Sequence, residues 1–126
     1  MRFHAPSVSA SADGDYYQLC LGPAESGEEE NDPFEVKGPY LIVQRDFESP
    51  DTGRCYVETH DDGYVGHFPV RLAEFSRTRL AIALVRKTNN HIEVTFALSA
   101  AEFEAVQRVA EIIFGLREPD WDGDVG

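Results

Sequence analysis

Residues 91–115, HIEVTFALSAAEFEAVQRVAEIIFG, carry two different periodicities end to end. In the first half Ile92, Val94, Phe96 and Leu98 alternate with His91, Glu93, Thr95 and Ala97. That period of two sends successive side chains to opposite faces of a strand. Ser99 follows, with Glu102 three residues on. At this spacing the serine hydroxyl takes an orphan helix N–H and the glutamate returns a bond to the serine N–H, a capping box. The helix so started runs to Phe114, and Gly115 can take the left-handed conformation that closes it. Phe103, Val106, Ala110 and Ile113 lie along one stripe, widened by Val109 and Phe114. Glu102, Glu104, Gln107, Arg108 and Glu111 fall mostly on the other side. A strand and a helix joined without slack, each apolar on one face, build a core by packing those faces together.

Upstream, the same period of two recurs. Leu80, Ile82 and Leu84 mark a strand over 79–85, and further strands are predicted over 70–76, 64–68 and 54–60. Over 40–47, Leu41, Val43 and Phe47 share a face that Arg45 interrupts; over 15–21, Tyr17, Leu19 and Leu21 do the same. Asp61-Asp62-Gly63 is a tight connection, Ser49-Pro50-Asp51-Thr52-Gly53 is a turn, and Pro69 marks a break or an edge. Strands followed by one helix predict an α+β fold: an antiparallel meander of about six to seven strands with a C-terminal helix packed on one face. The 126 residues are read as a single domain, 1–126. It has a loose N-terminal arm at 1–14, an acidic loop at 24–35 and an acidic tail at 116–126 in which Trp121 is the large anchor.

The net charge is −12. Such a surface repels nucleic-acid phosphates and anionic membranes, and Lys and Arg are dispersed without a basic patch, so neither is expected as a partner. A basic protein is the partner this charge favours; the plainer reading is solubility. No apolar run is long enough to span a bilayer, and the first residues lack the apolar core of a secretory signal, so a cytoplasmic protein is expected. Cys20 and Cys55 are then separate thiols rather than a bridge.

No P-loop, no G-x-G-x-x-G and no G-x-S-x-G occurs. No catalytic residue and no cofactor is therefore assigned. For partner binding the first choice is Asp61, Asp62 and Tyr64, where a turn tip, two charges and an amphipathic ring coincide. Glu28, Glu29 and Glu30 in the acidic loop are the second. An alternative of another class is a metal-binding protein or metal-dependent enzyme using His60, Asp62 and His67, with His91 as a further ligand; imidazole and carboxylate suit a divalent transition metal. Exposed strand edges also allow a homodimer.

The segment from Tyr40 to Gly115 resembles the immunity protein 10 family, small cognate inhibitors in bacterial polymorphic-toxin systems. The likeness is carried by Gln44-Arg45, Gly63-Tyr64, Ser76-Arg77 with Leu80, and Ile92-Glu93-Val94-Thr95-Phe96 before the Ser99-capped helix with Phe103 and Ile113-Phe114-Gly115. It covers about three-fifths of the chain, and its motifs are structural. His67-Phe68-Pro69 departs from the pattern. The resemblance implies no enzyme activity and no cofactor, and a cytoplasmic protein that sequesters a toxin domain.

Overall fold

The computed structural model describes residues 1–14, 16–23, 39–46 and 55–116. Nine strands are described: β1 (Arg2–His4), β2 (Ser7–Asp13), β3 (Tyr16–Gly22), β4 (Leu41–Asp46), β5 (Cys55–Thr59), β6 (Gly66–Phe68), β7 (Val70–Phe75), β8 (Arg79–Leu84) and β9 (His91–Thr95). A 3₁₀ turn, Asp62–Tyr64, links β5 to β6, and the helix α1 spans Ala100–Ile113. The fold is α+β, as expected, but the strands form two sheets rather than one meander. The first has the order β1-β9-β8-β7, the second β2-β3-β4-β5-β6. β1 runs parallel to β9; the other described pairs are antiparallel.

Two prolines mark where the chain changes sheets. Pro6 separates β1 from β2, and Pro69 separates β6 from β7. Proline offers no N–H to a ladder, so a sheet ends or turns there. The Ala5 N–H still donates to the Thr95 carbonyl at 2.8 Å, and the Val85 N–H to the Pro69 carbonyl at 3.0 Å, tying both corners to the first sheet.

Residues 1–14, expected as a loose arm, instead supply β1 and β2. Val8 and Ala10 pair with Leu21 and Leu19 on the inner side, while Ser9 and Ser11 pair with Cys20 and Gln18 on the outer. The strand is held by its neighbour more than by its own weakly apolar side chains.

The two sheets and the helix share one core. Leu80, Ile82, Ile92 and Val94 come from the first sheet; Leu19, Leu21, Leu41, Val43 and Val57 from the second; Ile112 and Ile113 from the helix. Each of these is fully buried, worth about 1.5–3 kcal/mol apiece, which outweighs any exposed ion pair at about 0–1 kcal/mol. The helix lies over β2, β3 and β4. Its capping box is formed, with the Ser99 hydroxyl accepting from Glu102 N at 3.1 Å and Glu102 accepting from Ser99 N at 2.9 Å. Gly115 adopts φ +79°, the left-handed geometry expected of it.

Arg45 has its reason here. It sits on the inward register of β4, opposite Tyr17, and its Nη1 donates to the Ile113 carbonyl at 3.0 Å. A cation thus meets the orphan carbonyls and the negative end of the helix dipole. Cys55 Sγ approaches the same oxygen at 3.8 Å. Neither cysteine is in a disulfide. Among the described residues no helix is long and apolar enough to cross a membrane.

Candidate functional site

The alternation that buries Leu19, Val43 and Val57 turns their neighbours outward. On the outer face of the second sheet the register aligns three transverse rows: Ser9, Cys20, Ile42 and Glu58; Ser11, Gln18, Gln44, Tyr56 and His67; Asp13, Tyr16 and Asp46. No described helix or strand lies over them, and Tyr16, Gln18, Ile42, Gln44, Tyr56 and Glu58 are all half-exposed. Among the described residues the rows hold three acids and neither lysine nor arginine.

The polar groups on this face hold one another. Gln18 Oε1 accepts from Tyr16 OH at 3.1 Å and from Gln44 Nε2 at 2.7 Å, and Gln18 Nε2 donates to Cys20 Sγ at 3.1 Å. Glu58 accepts from two phenols, Tyr56 OH onto Oε1 and Tyr40 OH onto Oε2, each at 3.0 Å. Tyr40 can stand there because position 22 has no side chain: a Cβ on Gly22 would lie 2.8 Å from the Tyr40 Cβ. Burial and its hydrogen bond to Glu58 push the Tyr40 phenol up to about 12, and Tyr56's own hydrogen bond to Glu58, with burial, raises Tyr56. Burial and the neighbouring Cys20 and Asp46 raise Tyr16. All three hydroxyls therefore stay protonated donors at neutral pH. The Tyr56 ring lies 5.1 Å from that of His67. A groove of about 190 Å³ opens at this end of the face, lined in part by Ser9, Cys20, Ile42 and Tyr40.

Of the residues expected to bind a partner, Asp61, Asp62 and Tyr64 occupy the 3₁₀ turn and its cap, but they do not form a free tip. Asp61 Oδ1 accepts from Gly63 N at 2.8 Å, so it serves as the cap. Tyr64 is half-buried against the core. Its hydroxyl lies 3.5 Å from the Met1 amino nitrogen. Arg86 clamps the turn from the β8–β9 connection: Nη2 donates to the Gly63 and Asn89 carbonyls, and the guanidinium stands 4.5 Å from the Phe68 ring centre. Asp61 and Asp62 are both exposed, and among the described residues the Asp62 side chain makes no hydrogen bond or ion pair. Glu28, Glu29, Glu30 and Trp121 lie outside the described residues.

The histidines of the metal alternative are dispersed. His60 Nδ1 accepts from Tyr40 N at 3.2 Å and its ring packs edge-on to Phe3; His67 rests on Tyr56; His91 is 3.5 Å from Glu93. Among the described residues no three His, Cys, Asp or Glu side chains converge as a metal site would require. Burial pushes the Cys55 thiol up to about 11, against the opposing influence of Arg45, so it is no thiolate at neutral pH. A wider cleft of about 800 Å³ lies by Phe75, Leu98 and Phe103; Arg77 is the ionisable residue of its lining, and Arg77 Nε already donates to the Leu98 carbonyl at 3.2 Å.

The outer face of the first sheet is built differently. Arg2, Glu93, Ala81 and Glu74 align across it, beside His4, Thr95 and Arg79, and His91, Ala83 and Arg71. Glu93 is only 6% exposed although alternation puts it on the polar side. Arg2 Nη2 lies 3.2 Å from Oε1 and Arg79 Nη2 2.5 Å from Oε2, while His91 Nε2 is 3.5 Å from Oε1. Arg79 Nε makes an ion-pair contact with Glu74 at 3.5 Å and has no hydrogen-bond partner among the described residues. Burial alone would raise the Glu93 carboxyl; the His91 hydrogen bond and the two arginines more than offset it and hold it below the usual range. Sequence periodicity missed this group because its partners come from β1 and β8.

No known family model matches the chain, and no curated protein gives a significant match to it.

Proposed function

We propose that this is a non-catalytic binding protein whose outer β2–β6 face docks a basic protein, and that it serves in the cytoplasm as an immunity protein sequestering a cognate toxin domain. One observation carries the reading: a face that no described helix or strand covers, holding Asp13, Asp46 and Glu58 with Tyr16, Tyr40 and Tyr56, and no lysine or arginine among the described residues of its rows. Tyrosine gives large contact area for little conformational entropy, and interface energy concentrates in such anchors. The acids and the overall charge of −12 steer a basic partner and speed its encounter. The resemblance of residues 40–115 to the immunity protein 10 family supports the toxin-domain assignment. Asp62 stands at the end of the neighbouring turn and adds to the field.

The test is co-expression of the full chain with the C-terminal domain encoded by the adjacent reading frame. The expected result is relief of that domain's toxicity and a complex that survives gel filtration at low salt, weakens as salt rises, and loses affinity on Tyr56→Ala. A complex indifferent to Tyr56→Ala and Asp46→Lys, or no complex and no relief, contradicts the proposal.

A further inference from the structure

Glu58 and Glu93 sit on the outer faces of the two sheets and are held in opposite ways. Glu93 is ringed by two of the chain's own cations, Arg2 and Arg79, and by the His91 imidazole. Glu58 is held by two neutral phenols, one on each oxygen, and among the described residues no lysine or arginine pairs with it. A carboxylate offers about four acceptor sites. With one taken on Oε1 by Tyr56 and one on Oε2 by Tyr40, each oxygen keeps capacity for a further donor.

Resting on the docking face proposed above, we infer that Glu58, Tyr40 and Tyr56 form a seat for an arginine side chain of the basic partner. A guanidinium presents two parallel N–H groups at the spacing of two carboxylate oxygens, whereas an ammonium is a point charge that uses one of them. The flanks suit the same plane. Tyr40 and Tyr56 stand beside the carboxylate, backed by the His60 ring 6.2 Å from Tyr40 and the His67 ring 5.1 Å from Tyr56. Guanidinium stacks on such aromatic faces. The seat is also preformed: Glu58 and Tyr56 are fixed by strand β5, and Tyr40 by its close approach to Gly22. Groups already ordered before binding lose less entropy when the partner arrives.

The experiment titrates the full, ¹⁵N-labelled chain with three small probes: N-acetyl-arginine amide, N-acetyl-lysine amide and the neutral isostere N-acetyl-citrulline amide. The arginine probe is expected to move the amide signals of Tyr40, Tyr56 and Glu58 saturably, with an affinity at least about threefold above the lysine probe, and the citrulline probe to move none of them. In Glu58→Gln the arginine response should fall about tenfold while signals elsewhere in the sheet hold their positions. Tyr40→Phe, which removes one clamp and keeps the charge, should narrow the preference for arginine over lysine. Equal responses to arginine and lysine, or a response that survives in Glu58→Gln, overturn the inference. If the seat fails while Asp46→Lys still abolishes the partner complex, the docking face stands without it. If the seat selects arginine while the complex ignores the whole face, the seat stands and the functional reading falls.

Discussion

The outer faces of the two sheets make opposite use of charge. On the first, Glu93 and Glu74 meet Arg2, Arg79 and His91, so the face neutralises itself and buries a carboxylate to 6% exposure. On the second, Glu58 is fixed by tyrosine hydroxyls, and among the described residues its rows contain no Lys or Arg and no cation pairs with it. A carboxylate paired with its own cations organises the fold; one oriented by neutral donors keeps its field for a partner. The difference comes from which strands meet. β1 and β8 bring arginines to Glu93, whereas β4 and the residue before it bring a glutamine and a tyrosine toward β5.

Both sheets contribute to one core and should unfold as one cooperative unit. Leu19→Ala in the second sheet and Leu80→Ala in the first should each cost about 2–5 kcal/mol in denaturant unfolding, with a single transition retained. Two separated transitions would mean that the sheets are independent and their faces not comparable.

Next in size is the effect on binding. Glu58→Lys should weaken the partner complex by about 2–5 kcal/mol, as loss of a centrally placed charge contact does. Arg79→Ala should leave its affinity within about 0.5 kcal/mol while lowering thermal stability. Calorimetry on both variants checks this, and a reversed pattern would exchange the roles of the two faces.

A smaller effect separates the faces by pH. The folded Glu93 carboxyl titrates below its unfolded value. Its contribution to stability is therefore complete above the ordinary glutamate range, roughly pH 4.3, and is lost as pH falls through the lower folded value. Glu93→Gln should be less stable at neutral pH and show a shallower acid loss than the wild type. Parallel stability curves for the two proteins would remove Glu93 from the account. The smallest change is expected for Asp62→Lys: association slowed about two- to threefold at low salt and unchanged at high salt, since Asp62 is exposed and lies outside the face. A larger loss that persists in salt would return the centre of the site to the turn.

Much of this architecture can be read from side-chain period. The strand-helix unit at 91–115, its Ser99 cap, the Gly115 stop, and the inward sets of β3 and β8 follow from spacing alone. β2 carries the same alternation, Val8 and Ala10 against Ser9 and Ser11, but in residues too small to distinguish a strand from a polar arm until β3 lies beside them. The split into two sheets depends on β1 pairing with β9 across the length of the chain, a contact that local pattern does not encode. The site was legible only in pieces. Tyr16, Gln18, Tyr56 and Glu58 alternate with buried residues, which marks a polar face, yet nothing in the sequence says that the helix covers the opposite side. Asp61 and Asp62 drew attention as charges on a turn; the clamp by Arg86 from another connection is what gives that turn a structural role.

The most direct measurement is hydrogen–deuterium exchange of the full chain, alone and in complex with the proposed partner, the C-terminal domain encoded by the adjacent reading frame. Binding should slow exchange across residues 16–20, 42–46 and 55–58 and at Tyr40, with little change in β8 and β9. Protection concentrated on β1, β8 and β9, with the tyrosine face exchanging as before, would contradict the account.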